Sequence, residues 1–185
     1  MDNSDVLVAF EILLEEIEES VDSVNLQASD ALKNRDYELS RRLIQQAEDT
    51  ENFRVKIKDL QNEWRQRYGK PSKTASIPPS ESVRKRLQRG LRTSEDAFRL
   101  PILAALVDLG GAAPINSVLE HVQRQMKGVL NEYDLHPLSS DPQTPRWRNT
   151  AQWCRNALVK DGLMADNSPR GVWEVTPQGR KELAG

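Results

Sequence analysis

The first 68 residues contain neither proline nor glycine. A stretch of that length without either breaker can carry long uninterrupted helices, and this restricts the possible folds more than any other feature of the chain. Leu7, Phe10, Leu14, Ile17, Val21, Val24, Ala28 and Ala31 follow one another at alternating spacings of three and four. That is a heptad repeat, which lines one face of a helix with apolar side chains. Ser4 and Asp5 are candidate N-caps, and Asn34-Arg35-Asp36 reads as a turn. The Asp36 carboxylate is placed to accept the unpaired N–H groups of a second helix. There Leu39, Leu43, Ala47, Thr50, Phe53, Ile57, Leu60 and Trp64 repeat the spacing, and Tyr68-Gly69 with Lys70-Pro71 marks the stop. Residues 1–68 are thus predicted to form a helical hairpin, each arm about 45 Å long.

Leu13 and Ile44 fall beside the stripe and widen it beyond what one partner helix covers. The expectation is a homodimer in which two hairpins form a four-helix, coiled-coil arrangement. Its contacts would be Leu7, Phe10, Leu14, Ile17, Val21, Leu43, Phe53, Ile57, Leu60 and Trp64. A monomeric hairpin folded against the rest of the chain is the alternative.

The formal net charge of −2 conceals a strong segregation. Residues 1–53 carry 4 basic and 14 acidic side chains, net −10; residues 54–92 carry 12 and 3, net +9; residues 93–185 carry 10 and 11, net −1. Attraction to a polyanion depends on charge within a Debye length, so the central block matters more than the total. Residues 69–92 form a linker. GKPSKTASIPPSES has no periodicity, and Val83–Arg92 follows with five basic residues in ten and no acid. Arg84, Lys85, Arg86 and Arg89 are candidate phosphate or minor-groove contacts if the adjoining domain binds DNA; otherwise the stretch is a solvated linker.

Residues 93–185 read as a domain. Thr93-Ser94 can cap a helix whose regular part is expected from Pro101 and which ends at Gly110-Gly111. Ala112–Ile115 is short and extended, and Asn116 or Ser117 caps a second helix bearing Val118, Leu119, Val122 and Met126. Lys127–Pro145 is irregular, with a helical turn near Asn131–Leu135. Pro145 suits the first position of a third helix that stops at Gly162. Leu163–Asp166 and Val172–Thr176 read as the strands of a hairpin around Asn167–Gly171, and Thr176-Pro177 opens a last helix. The fold class is therefore mainly α: a long helical hairpin followed by a winged helix-turn-helix with a small β-hairpin wing.

Several segments together resemble a known family. They are Leu100-Pro101-Ile102-Leu103-Ala104-Ala105-Leu106, the diglycine after it, Pro145-Arg146-Trp147-Arg148-Asn149, Trp153, Lys160-Asp161-Gly162-Leu163 and Pro169-Arg170-Gly171-Val172-Trp173-Glu174-Val175-Thr176. This combination resembles the N-terminal winged-helix domain of Mrr-type restriction endonucleases, over about residues 94–184. The resemblance implies a prokaryotic DNA-recognition module used in restriction and defence. In those enzymes a nuclease domain with a metal-binding acidic core follows; here the chain ends at Gly185, so cleavage is not expected to carry over.

A helical wheel of the third helix tests the DNA reading separately. Trp147, Thr150, Ala151, Cys154, Ala157 and Leu158 share one face, and Arg148, Asn149, Gln152, Arg155, Asn156 and Lys160 occupy the opposite arc. Arg, Asn and Gln suit bidentate contacts with guanine and adenine edges. Arg146 adjoins this arc, and Arg170 at the turn of the hairpin can reach a phosphate or the minor groove. An ordinary solvated face mixes acids with bases, and this arc contains no acid. Trp153 is expected to pack beneath the wing.

Catalysis finds no support. Cys154 lies on the apolar face and as a lone cysteine excludes an intrachain disulfide; His121 and His136 sit in no catalytic spacing. No glycine-rich phosphate loop, zinc motif, cofactor or metal site is visible, and the Glu15-Glu16-Glu18-Glu19 cluster reads as a solvated face. No apolar run approaches the ~18 residues of a membrane span, and the acidic N-terminus is not a signal peptide. The expectation is a cytoplasmic, non-enzymatic protein that binds double-stranded DNA, as a regulator or as the reading part of a restriction or defence system with a separate nuclease or defence subunit. The second class is an assembly protein whose winged domain contacts another protein, a reading that the domain's net charge of −1 keeps open.

Overall fold

The computed structural model describes residues 3–68, 92–138 and 140–183. The chain divides into two units, residues 1–91 and 92–185. Within the first, α1 (Asn3–Lys33) and α2 (Tyr37–Tyr68) pack against each other along their length. Helix α1 starts before the expected caps, and Asp5 lies in its first turn, where an acid suits the macrodipole. The turn between the helices closes with Asp36 N–H donating to Ala31 O at 2.9 Å, and Arg35 takes a left-handed φ of 60°. Asp36 caps α2 as anticipated: Leu39 N–H donates to its Oδ1 at 3.0 Å.

The seam of α1 is the one read from its spacing. Leu14, Ile17, Val21, Val24, Ala28 and Ala31 are all buried, while Leu7 and Phe10 are half-buried. Helix α2 is rotated from the expected register. Ser40, Ala47, Arg54, Ile57, Lys58 and Gln61 are its buried residues, whereas Leu39, Phe53 and Leu60 are exposed and Leu43 and Trp64 half-buried. The cause is polar pairing across the seam. The Arg54 guanidinium donates to Glu18 Oε1 through both Nε (2.8 Å) and Nη2, Gln61 Nε2 donates to Glu11 Oε1 at 2.8 Å, and Ser40 Oγ donates to Ala28 O at 3.2 Å. Once α1 brings Glu11 and Glu18 into the seam, α2 must answer with donors, and its larger apolar side chains turn outward. Leu13 and Ile44 are exposed too.

The second unit begins with a 3-10 turn (Glu95–Phe98) and α3 (Arg99–Asp108). The regular helix starts ahead of Pro101, because a proline in the first turn forfeits only an N–H that has no intrahelical partner. Gly110 closes α3 with φ at 91°, in the left-handed region. Strand β1 (Ala112–Pro114) leads into α4 (Ile115–Gln125), whose N-cap is Pro114, two or three residues earlier than the expected Asn116 or Ser117. A short α5 (Glu132–Leu135) precedes α6 (Arg146–Lys160), for which Pro145 is the N-cap, not the first helical residue. Strand β2 (Val172–Glu174) and α7 (Pro177–Glu182) follow.

Strand β2 pairs antiparallel with β1, with Ala113 opposite Trp173. The expected partner, Leu163–Asp166, forms only an isolated bridge, Met164 to Val175, with Ala165 N–H donating to Glu174 O at 2.9 Å. The core gathers Phe98, Ile102, Leu106, Val118, Val122, Trp147, Cys154, Leu158 and Trp173. Gly179 lets α7 settle there, since a Cβ would run into the Leu163 carbonyl oxygen. The described residues are thus mainly helical with one small two-stranded antiparallel sheet, and none of their helices is long and apolar enough to cross a membrane.

Candidate nucleic-acid interface

The candidate interface is built on α6, and the core fixes which side of that helix faces out. Trp147, Thr150, Ala151, Trp153, Cys154 and Leu158 are buried. Trp147 stacks on Phe98 with ring centroids 6.4 Å apart and planes 2° from parallel. Gln152, Asn156 and Lys160 are exposed; Arg148, Asn149 and Arg155 are half-buried. The structure therefore presents the predicted arc outward, but its members differ in freedom.

Arg146 is restrained. Its guanidinium lies 5.1 Å from the centroid of the Tyr133 ring, and its backbone N–H donates to His136 O at 2.9 Å. The Arg148 guanidinium lies 5.7 Å from the Trp147 ring. Arg155 reaches sideways to the root of the 165–174 loop, with Nη2 donating to Ala165 O at 3.5 Å and Nη1 to Asn156 Oδ1 at 3.4 Å. It braces that loop against α6 and does not project as a free donor. Gln152, Asn156 and Lys160 are left as the most accessible side chains of the arc.

Both ends of α6 are held. At its C-terminus, Arg99 Nη2 meets Asp161 Oδ2 at 2.7 Å. Burial opposes the charge on Arg99, but the hydrogen bond and negative charge of Asp161, with smaller contributions from Cys154 and Asp96, together outweigh it and raise the guanidinium above its ordinary value. At the N-terminus, α5 acts as a clamp that the sequence reading missed. The buried Asp134 carboxylate accepts from Thr93 N at 2.8 Å, Thr93 Oγ1 at 2.6 Å and Asn131 N at 2.9 Å. Asn131 Oδ1 returns the favour to Asp134 N at 3.2 Å, completing a capping box. The Asn-x-x-Asp spacing of that box was the available signal. Loop 137–145 closes through a Pro137–Pro145 bridge. Within it the Thr144 hydroxyl and the Gln143 N–H hold the exposed Asp141 carboxyl below its usual range.

Arg170 is exposed at the tip of the 165–174 loop, where Val172 N–H donates to Pro169 O at 2.9 Å and Ser168 Oγ to Glu174 Oε2 at 3.4 Å. Arg84, Lys85, Arg86 and Arg89 lie outside the described residues. Cys154 is buried, and the described residues contain no cluster of His, Cys, Asp and Glu able to hold a metal ion.

No curated protein and no solved structure matches this chain. Residues 96–184, within the C-terminal unit, match the family model of the Mrr N-terminal domain, and that unit is similar to a domain of this type.

Proposed function

We propose that this protein binds double-stranded DNA, with the second unit acting as a winged helix-turn-helix. In this reading α6 enters the major groove, the 165–174 loop is the wing, and the basic stretch Arg84–Arg89 neutralises flanking phosphates. The N-terminal hairpin dimerises the chain, which sets two reading heads on one duplex. The protein serves in the cytoplasm as a regulator or as the DNA-reading part of a restriction system, without catalysis of its own and alongside a separate nuclease or defence subunit. The observation that carries the reading is the outward arc of α6: three basic and three amide side chains, no acid, on a domain similar to the Mrr N-terminal type.

The bracing of Arg155 divides the expected roles. Gln152→Ala should cost about 1–3 kcal/mol on a specific site if Gln152 makes a bidentate base contact, with little change on random duplex. Asn149→Ala tests the same role one turn earlier. Arg170→Ala should weaken binding to all sequences alike. Titration of each variant against selected and random duplexes, at two salt concentrations and after a folding check, separates these roles. If Arg148→Ala, Asn149→Ala, Gln152→Ala and Arg155→Ala all bind like the parent, α6 faces a protein partner instead. The unit's net charge of −1 favours that second reading.

A further inference from the structure

The outward side of α2 carries a second pattern that the seam does not use. Leu39, Phe53 and Leu60 stand at heptad positions, with Gln46 completing the row, and are 38%, 52% and 51% exposed. At 100° per residue this row is turned about 90° from the middle of the buried seam. Three residues beyond each member come Arg42, Asp49, Lys56 and Glu63, all exposed. Their charges run plus, minus, plus, minus along the helix.

That order changes sign when the helix is read backwards. A second α2 laid antiparallel beside the first, centred between Asn52 and Phe53, sets Arg42 of each copy against Glu63 of the other and Asp49 of each against Lys56 of the other. The same centring brings the two Phe53 rings together beside the two-fold axis. A parallel, in-register pair would set every one of these charges against its own kind. Among the described residues Asp49 otherwise accepts a hydrogen bond from Gln45 Nε2 at 3.1 Å, and Glu63 meets Arg67 at 2.6 Å on the exposed surface. Both are i,i+4 contacts in water, weak enough to exchange for partners across an interface.

We propose that α2 is the dimer interface, pairing antiparallel with α2 of a second copy of this chain through the Leu39–Phe53–Leu60 row. The inference rests on the dimer reading above and adds its face and its direction. Apolar burial at Phe53 supplies the affinity, and the alternating charges select the antiparallel orientation over the parallel one.

Sedimentation equilibrium of the full chain at micromolar concentration tests this, with circular dichroism confirming that each variant keeps its helices. Phe53 is exposed on the single hairpin, so Phe53→Asp leaves that hairpin folded and should weaken the dimer by more than about 100-fold. Lys56→Asp sets acid against acid twice and should weaken it about tenfold. Adding Asp49→Lys to Lys56→Asp exchanges the two charges and should restore the parent affinity, a rescue possible only in the antiparallel arrangement. A dimer that survives Phe53→Asp, or a charge exchange that restores nothing, overturns this interface while leaving dimerisation itself intact. A monomeric parent chain overturns the dimer reading as well.

Discussion

Arg54→Leu is expected to destabilise the hairpin by about 3–5 kcal/mol, because it leaves the Glu18 carboxylate inside the seam without its guanidinium. Glu18 is 2% exposed and Arg54 4%, so water cannot replace what is lost. A leucine restores volume but no donor. The double change Glu18→Leu with Arg54→Leu removes the charge along with its partner, and well-packed apolar residues in place of a buried pair are neutral or stabilising. The single variant should therefore be the least stable of the three proteins and the double variant close to the parent. Urea unfolding followed by helical circular dichroism reads this directly. A single variant within about 1 kcal/mol of the parent would show that the pair is solvated and the seam less polar than described.

Trp147→Ala should cost the second unit about 3–5 kcal/mol, a large part of the ~5–15 kcal/mol that holds an ordinary domain together. The ring is fully buried and stacks on Phe98 at the first turn of α6. Its removal opens a cavity beneath the end of the helix that bears Arg146, Arg148 and Asn149. The indole Nε1 has no hydrogen-bond partner among the described residues, so Trp147→Phe gives up no hydrogen bond and should cost much less. Thermal unfolding ranks the three. Equal losses for alanine and phenylalanine would mean that the indole N–H has a partner.

The legibility of this fold follows from what each helix buries. The α1 seam could be read from spacing because its buried positions from Leu14 to Ala31 are mostly apolar. The α2 seam could not, because Ser40, Arg54 and Gln61 occupy it and their burial depends on acceptors on another helix. A pattern read on apolar residues alone settles on Leu39, Phe53 and Leu60, one residue earlier, and turns the helix outward-face in. In the second unit the helices were legible, with starts displaced by one to three residues, since Pro101, Pro114 and Pro145 each fit more than one position near a helix start. The partner of β2 was not legible: strands of three residues are too short for a period of two to show. The outward arc of α6 was readable from the wheel, because the buried face of that helix is apolar except for Thr150. The bracing of Arg155 on Ala165 was not, because a chain turn far along the sequence supplies the acceptor.

Duplex binding is the central claim, and the dependence of affinity on salt tests it most directly. The full chain is titrated against a labelled duplex over a series of salt concentrations, beside a variant with Arg84, Lys85, Arg86 and Arg89 neutralised. The account predicts tight retention at low salt and a steep negative log–log slope, with about 0.9 lost from the slope for each phosphate-contacting charge removed. No binding at low salt, or an affinity indifferent to salt, would contradict it.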